Sequence, residues 1–94
     1  MTQRRAVMSA AIATQVVDIC RQVLGDPTVT LESTTATVTT WDSLGHMNLI
    51  AALESGFGVE LDVMEMAEVD GVRALVAVVE TTVRAYEKPP GKGS

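Results

Sequence analysis

Apolar residues recur at every third or fourth position toward both ends of this chain, and no other feature of the sequence restricts its fold as strongly. Met8, Ile12, Val16, Ile19 and Val23 follow one another at spacings of 4, 4, 3 and 4, which keeps them on one face of a 3.6-residue period. The spacing predicts a helix over residues 6–24. Gly25-Asp26-Pro27 closes it, since glycine suits the position after a last turn and proline cannot continue the helix. Cys20 falls beside Ile19 and reads as a small buried hydrophobe rather than a reactive thiol. At the other end, Val72, Leu75, Val76, Val79, Val83 and Tyr86 share a face, with Asp70 as the expected cap. The valines lower helix propensity there, but the spacing outweighs them.

Two further helices lie between. One begins at Asp42-Ser43-Leu44, where aspartate and serine are both good N-caps. Its apolar face is read as Leu44, Met47, Ile50 and Ala51 or Leu53. Ser55-Gly56 ends it, and Phe57 folds back toward the core. The other is a short turn over Met64–Glu68, capped by Asp62, with Met64 and Met66 as core or groove filler. Residues 28–40 hold seven threonines in thirteen positions, a composition that permits strands. No Asn-Gly type hairpin turn divides them, so they read as a long ordered loop anchored by Val29, Leu31 and Val38. A loop of that length in a small domain is often functional. Ninety-four residues allow one domain. The expected organisation is a tail over 1–5, an all-α domain over 6–87, and a flexible tail over 88–94, where Pro89-Pro90-Gly91 cannot extend a helix.

Charge separates the partner classes. Between Arg21 and Arg73 there are nine acidic residues and no Lys or Arg, while the rest of the chain has three acids and all seven bases. Nucleic-acid binding and a polybasic membrane anchor both need clustered positive charge and are disfavoured. An acidic face suits a basic protein partner. One Cys and one His exclude an internal disulfide and a zinc site. The longest apolar run, Ala74–Val79, is far short of a membrane span. Ser9, Thr14, Gln15 and Asp18 interrupt the N-terminal segment, so it is an amphipathic helix rather than a signal-peptide core. A cytoplasmic monomer with no metal is expected. General acid–base groups are scarce apart from carboxylates.

Trp41-Asp42-Ser43-Leu44-Gly45-His46-Met47-Asn48-Leu49-Ile50 is the one constellation that carries chemistry. Ser43 reads first as a helix N-cap. A serine nucleophile needs a base and an oxyanion site. The single histidine is three residues away near the same helix start, and no Gly-x-Ser-x-Gly turn surrounds the serine. Hydrolysis is therefore disfavoured. A serine exposed at a helix start can instead be the substrate of another enzyme that brings its own base, metal and phosphate donor.

Asp42-Ser43-Leu44, with Trp41 before it and Ala52-Leu53-Glu54-x-x-Phe57-Gly58-Val59 after it, resembles the acyl carrier protein family over about residues 8–87. The resemblance implies an all-α four-helix bundle of acyl-carrier type, with three longer helices, a short helix III and a long first loop. It implies that Ser43 carries 4′-phosphopantetheine, added from coenzyme A by a phosphopantetheinyl transferase. The arm's thiol would hold acyl groups as thioesters for acyl-loading and acyl-processing enzymes. Asp42 and Leu44 match the motif neighbours that present the serine and dock partners. Met47 and Ile50 match apolar positions beside the arm. Partner docking is expected at Asp42, Leu44, Met47, Glu65 and Glu68, with no catalytic residue in the chain itself. Fatty-acid carriers usually have acids two and five positions after the serine, where this chain has Gly45 and Asn48. Its acids gather instead at Glu60, Asp62, Glu65, Glu68 and Asp70. That departure suggests a stand-alone carrier of polyketide or other specialised metabolism. A peptidyl carrier and an unmodified helical interaction module are the alternatives. His46 fits the Ser-Leu-Gly-His variant and reads as a polar surface residue.

Overall fold

The computed structural model describes the backbone of residues 2–87 and the side chains of residues 10–86. Four helices follow in order: α1 (Thr2–Leu24), α2 (Ser43–Phe57), α3 (Val63–Ala67) and α4 (Val72–Glu87). α1 packs against both α2 and α4, and α3 packs against α4. The expected all-α four-helix architecture is what is found. α1 starts at Thr2 rather than near residue 6, since Gln3, Arg4, Arg5 and Ala6 all favour helix and nothing breaks it. Met8 and residues 88–94 lie outside the described side chains and backbone respectively.

The core takes three residues from α1 at four-residue spacing, Val16, Cys20 and Leu24. α2 adds Leu49 and Leu53, α3 adds Met66, and α4 adds Val72, Leu75 and Val79. Ile12, Ile19 and Val23 pack against this cluster and are half-buried. The buried stripe of α1 is therefore turned slightly toward Cys20 and Leu24. Gly25 takes a positive φ of 64° after the last turn of α1, as its place in the sequence suggested.

The Thr-rich segment is an ordered loop, held at three levels. Val29 and Val38 are buried and Leu31 is half-buried against the core. Side-chain oxygens of Asp26, Thr30, Ser33, Thr34 and Thr37 accept from nearby backbone N–H groups, so the threonines supply the turn bonds that a hairpin ladder would otherwise provide. A single antiparallel bridge joins Thr34 to Gly71, with Thr35 N donating to Asp70 O at 3.0 Å and Val72 N to Ser33 O at 2.9 Å. That bridge uses the Asp70 main chain. Gly71, not Asp70, directly precedes α4, and its carbonyl accepts from Leu75 N.

α2 departs from its expected face. Leu49 and Leu53 are fully buried and Ile50 and Phe57 are half-buried, whereas Leu44, Met47 and Ala51 are exposed. The apolar residues of this helix occur on more than one side, so periodicity could not single out the buried stripe. The helix also runs past Gly56 to Phe57. Gly58, at φ 67°, is its C-cap and its N–H donates to Glu54 O at 2.8 Å. α3 is capped by Asp62 as expected, with Oδ1 accepting from Met64 N and Glu65 N. Of its two methionines, Met66 is core and Met64 is 78% exposed. Tyr86 at the end of α4 is exposed, and its hydroxyl accepts from Glu60 N.

Candidate functional site

The site is built on the first turn of α2. Asp42 has extended backbone angles (φ −101°, ψ −166°), and its Oδ1 accepts from Gly45 N at 2.8 Å. Its carbonyl accepts the first helical bond, from His46 N at 2.8 Å. Asp42 is therefore the N-cap, and Ser43 is the first helical residue rather than the cap expected for it. The consequence is chemical. The Ser43 side chain is exposed, and the capping duty that would have engaged its hydroxyl falls to its neighbour. Backbone N–H groups at a helix start and the helix dipole favour negative charge at this turn.

The approach to that turn is rigid. Thr40 Oγ1 donates to Leu24 O at 2.7 Å, fastening the loop's end to the end of α1. Trp41 is buried. A Cβ added to Gly45 would stand 2.6 Å from the Thr40 carbonyl oxygen and 3.1 Å from Leu24 Cδ2. The loop lies on α2 so closely that only glycine fits. The missing acid two positions after the serine thus has a packing cause within this chain.

His46 is not a free surface residue. Its Nδ1 accepts from Trp41 Nε1 at 3.1 Å, the two ring planes lie within 19° of parallel, and its Nε2 is 2.8 Å from the Met66 carbonyl oxygen. Both ring nitrogens are engaged, so neither is free to act as a base for Ser43. The histidine's role was not legible in the sequence, because Met66 lies twenty residues away. The adjacency of Trp41 and His46 to one helix start was the only available signal.

Around Ser43 the apolar side chains face outward. Leu44 is 70% and Met47 67% exposed on α2, and Val63 and Met64 are similarly open on α3. Ile50, expected beside the arm, is packed against the core instead. The nine acids between Arg21 and Arg73 divide into two groups. Asp26, Glu32, Asp42, Glu54 and Asp62 accept hydrogen bonds within the chain. Glu54 is the one acid retained on α2, and its Oε2 accepts from Leu61 N, so it braces the α2–α3 connection. The Arg73 guanidinium holds the Glu32 carboxyl below the usual carboxylate range, and hydrogen bonds from Thr28 do the same for Asp26. Among the described residues, the carboxylates of Glu60, Glu65, Glu68 and Asp70 make no such bonds and face solvent. Cys20 is buried, and burial pushes its thiol up to about 11, so it is an inert core residue at neutral pH. No group of three potential metal ligands occurs among the described residues, and no described helix is long and apolar enough to cross a membrane.

The second of the four helices thus opens on an exposed serine with apolar side chains beside it, and the chain's single histidine is committed elsewhere. The chain matches the family described as phosphopantetheine attachment site over residues 14–79. It belongs to that family, and is a carrier protein whose cofactor is covalently attached 4′-phosphopantetheine. Its fold is similar to the solution structure of a holo acyl carrier protein from Geobacter metallireducens. The TM-score is 0.71 and the identity 29%, over 79% of this chain and 87% of that one. No curated protein matches significantly. Carriers of this family are substrates of phosphopantetheinyl transferases and of acyl-handling enzymes, rather than catalysts.

Proposed function

We propose that Ser43 bears the 4′-phosphopantetheine arm, and that the chain carries acyl intermediates as thioesters in polyketide or other specialised biosynthesis. The observation that supports this most is the exposed hydroxyl at the first position of α2, left free by the Asp42 cap. In the loading step, Ser43 Oγ attacks the β-phosphorus of coenzyme A within a transferase. The Oγ–P bond forms as the pyrophosphate P–O bond breaks. Adenosine 3′,5′-bisphosphate leaves, and the hydroxyl proton passes to a base of the transferase. Asp42 acts by fixing the helix start. Leu44 and Met47 supply the apolar part of the docking face, and the unengaged Glu65 and Glu68 supply its charge. The lack of acids at positions 45 and 48 favours a dedicated pathway over the enzymes of housekeeping fatty-acid synthesis. The carrier is taken to work as a cytoplasmic monomer.

Incubation with coenzyme A and a broad-specificity transferase tests the serine. Intact mass should rise by one phosphopantetheine in the wild type and not at all in Ser43→Ala. No adduct, or an adduct that survives the substitution, would overturn the assignment.

A further inference from the structure

We propose that His46 is a positioning residue, which clasps α3 to the first turn of α2 beside the loaded serine. The proposal rests on the Ser43 reading for its functional meaning, and on hydrogen-bond geometry for its structure. A tryptophan indole N–H can only donate. With Trp41 Nε1 at 3.1 Å, His46 Nδ1 must accept, and the ring proton therefore sits on Nε2. Nε2–H then donates to the Met66 carbonyl oxygen at 2.8 Å. That carbonyl belongs to the last turn of α3 and already accepts from Val69 N at 3.2 Å, so the histidine takes its second lone pair. His46 thus caps α3 from a different helix.

α3 needs such a tie. It has five residues, far fewer than a helix sustains alone in water. Its placement comes from packing on α4, from the Glu54 brace on the preceding connection, from the Asp62 cap, from Met66 in the core, and from this bond. The bond fixes α3, with exposed Val63, Met64, Glu65 and Glu68, relative to a turn that starts at Ser43. Trp41 is buried at the loop's end, so one ring joins the loop, α2 and α3. A partner enzyme that grips α3 then finds the serine at a fixed offset.

One His and one Trp make the test unambiguous. In the 15N-labelled full chain, long-range proton–nitrogen spectra should show a protonated Nε2 and an unprotonated Nδ1. The Trp41 indole proton should be protected from exchange. Two variants split the clasp. His46→Gln keeps a donor placed like Nε2, while His46→Asn keeps an acceptor placed like Nδ1. Exchange of the Glu68 and Val69 amides should rise about tenfold in His46→Asn and stay near wild type in His46→Gln. The Trp41 indole should behave the opposite way. With a phosphopantetheinyl transferase, KM for the carrier should rise severalfold in His46→Asn with kcat unchanged, and His46→Gln should restore it. An Nδ1–H tautomer, equal α3 exchange in the two variants, or a KM identical in both would overturn the clasp. Failure of wild-type loading would instead sink the Ser43 reading, and leaves the tautomer and exchange results to stand by themselves.

Discussion

Leu49 and Leu53 of α2 are fully buried, whereas Leu44 and Met47 of the same helix leave 70% and 67% of their surfaces exposed. Side chains of one chemical kind thus serve opposite ends within fifteen residues. Burying such a side chain is worth roughly 1.5–3 kcal/mol. The two at the start of the helix forgo that gain, and they do so just after the Asp42 cap that fixes the helix start. Single exposed apolar residues are ordinary. Two on one helix, with Val63 and Met64 exposed on the next, leave four large apolar side chains of α2 and α3 open to solvent. The contrast separates residues that hold the bundle together from apolar residues left open to solvent, for which we propose partner contact, and substitution can test where the line falls.

The largest effect is expected on the inner face. Leu53→Ala should cost about 2–5 kcal/mol of unfolding free energy, since the surrounding core cannot close fully on the space left. Urea denaturation would measure it, and a loss below about 1 kcal/mol would mean that the inner face is not the structural one. Gly45→Ala should come next. Alanine improves helix propensity by about 1 kcal/mol over glycine, but here its Cβ would meet the Thr40 carbonyl at 2.6 Å. Backbone cannot swing aside as a side chain can, so a net destabilisation of about 1–3 kcal/mol is expected. The same measurement checks it. A stabilised variant would show that the loop can lift away from α2, and that position 45 was free to hold the acid found there in fatty-acid carriers.

The inner face was only partly legible in the sequence. α1 and α4 each present one stripe at helical spacing, from which the burial of Val16, Cys20, Val72, Leu75 and Val79 follows, as does the glycine stop at residue 25; Leu24 is core without being on the expected stripe, and Tyr86 on that stripe is exposed. α2 is apolar on more than one side, so the sequence places Leu44 and Met47 both on its apolar face and among the docking residues, while Leu49 goes unnoticed. Periodicity detects a stripe against a polar background, and α2 lacks that background. The motif still placed Ser43 correctly at a helix start. Which of two adjacent good caps takes the role is a matter of backbone angles, and the extended conformation of Asp42 decided it. The threonine loop was recognised by what it lacked, a hairpin turn. Its bridge to Gly71 joins segments nearly forty residues apart and could not be inferred locally. The commitment of His46 to Met66 was hidden for the same reason.

The smallest effect on stability, and the sharpest on function, is expected on the outer face. Leu44→Ala and Met47→Ala remove little buried surface, so each should leave unfolding free energy within about 0.5 kcal/mol of wild type. Loading by a transferase should nonetheless weaken, because an apolar side chain buried at the centre of an interface typically contributes more than about 1 kcal/mol to binding. The expected reading is a KM for the carrier raised about fivefold or more, with the fold intact. The acids of α3 provide the control. Reversing Glu65 and Glu68 to lysine should also raise KM, and that effect should shrink as salt increases and screening shortens below about 8 Å. The effect of Leu44→Ala should persist at high salt, because apolar contact is not screened. If Leu44→Ala and Met47→Ala destabilise the bundle as Leu53→Ala does, the two faces are one core and the partner surface lies elsewhere. If both leave KM unchanged at every salt concentration, docking belongs to α3 alone, and the exposed side chains of α2 attend the arm rather than the enzyme that installs it.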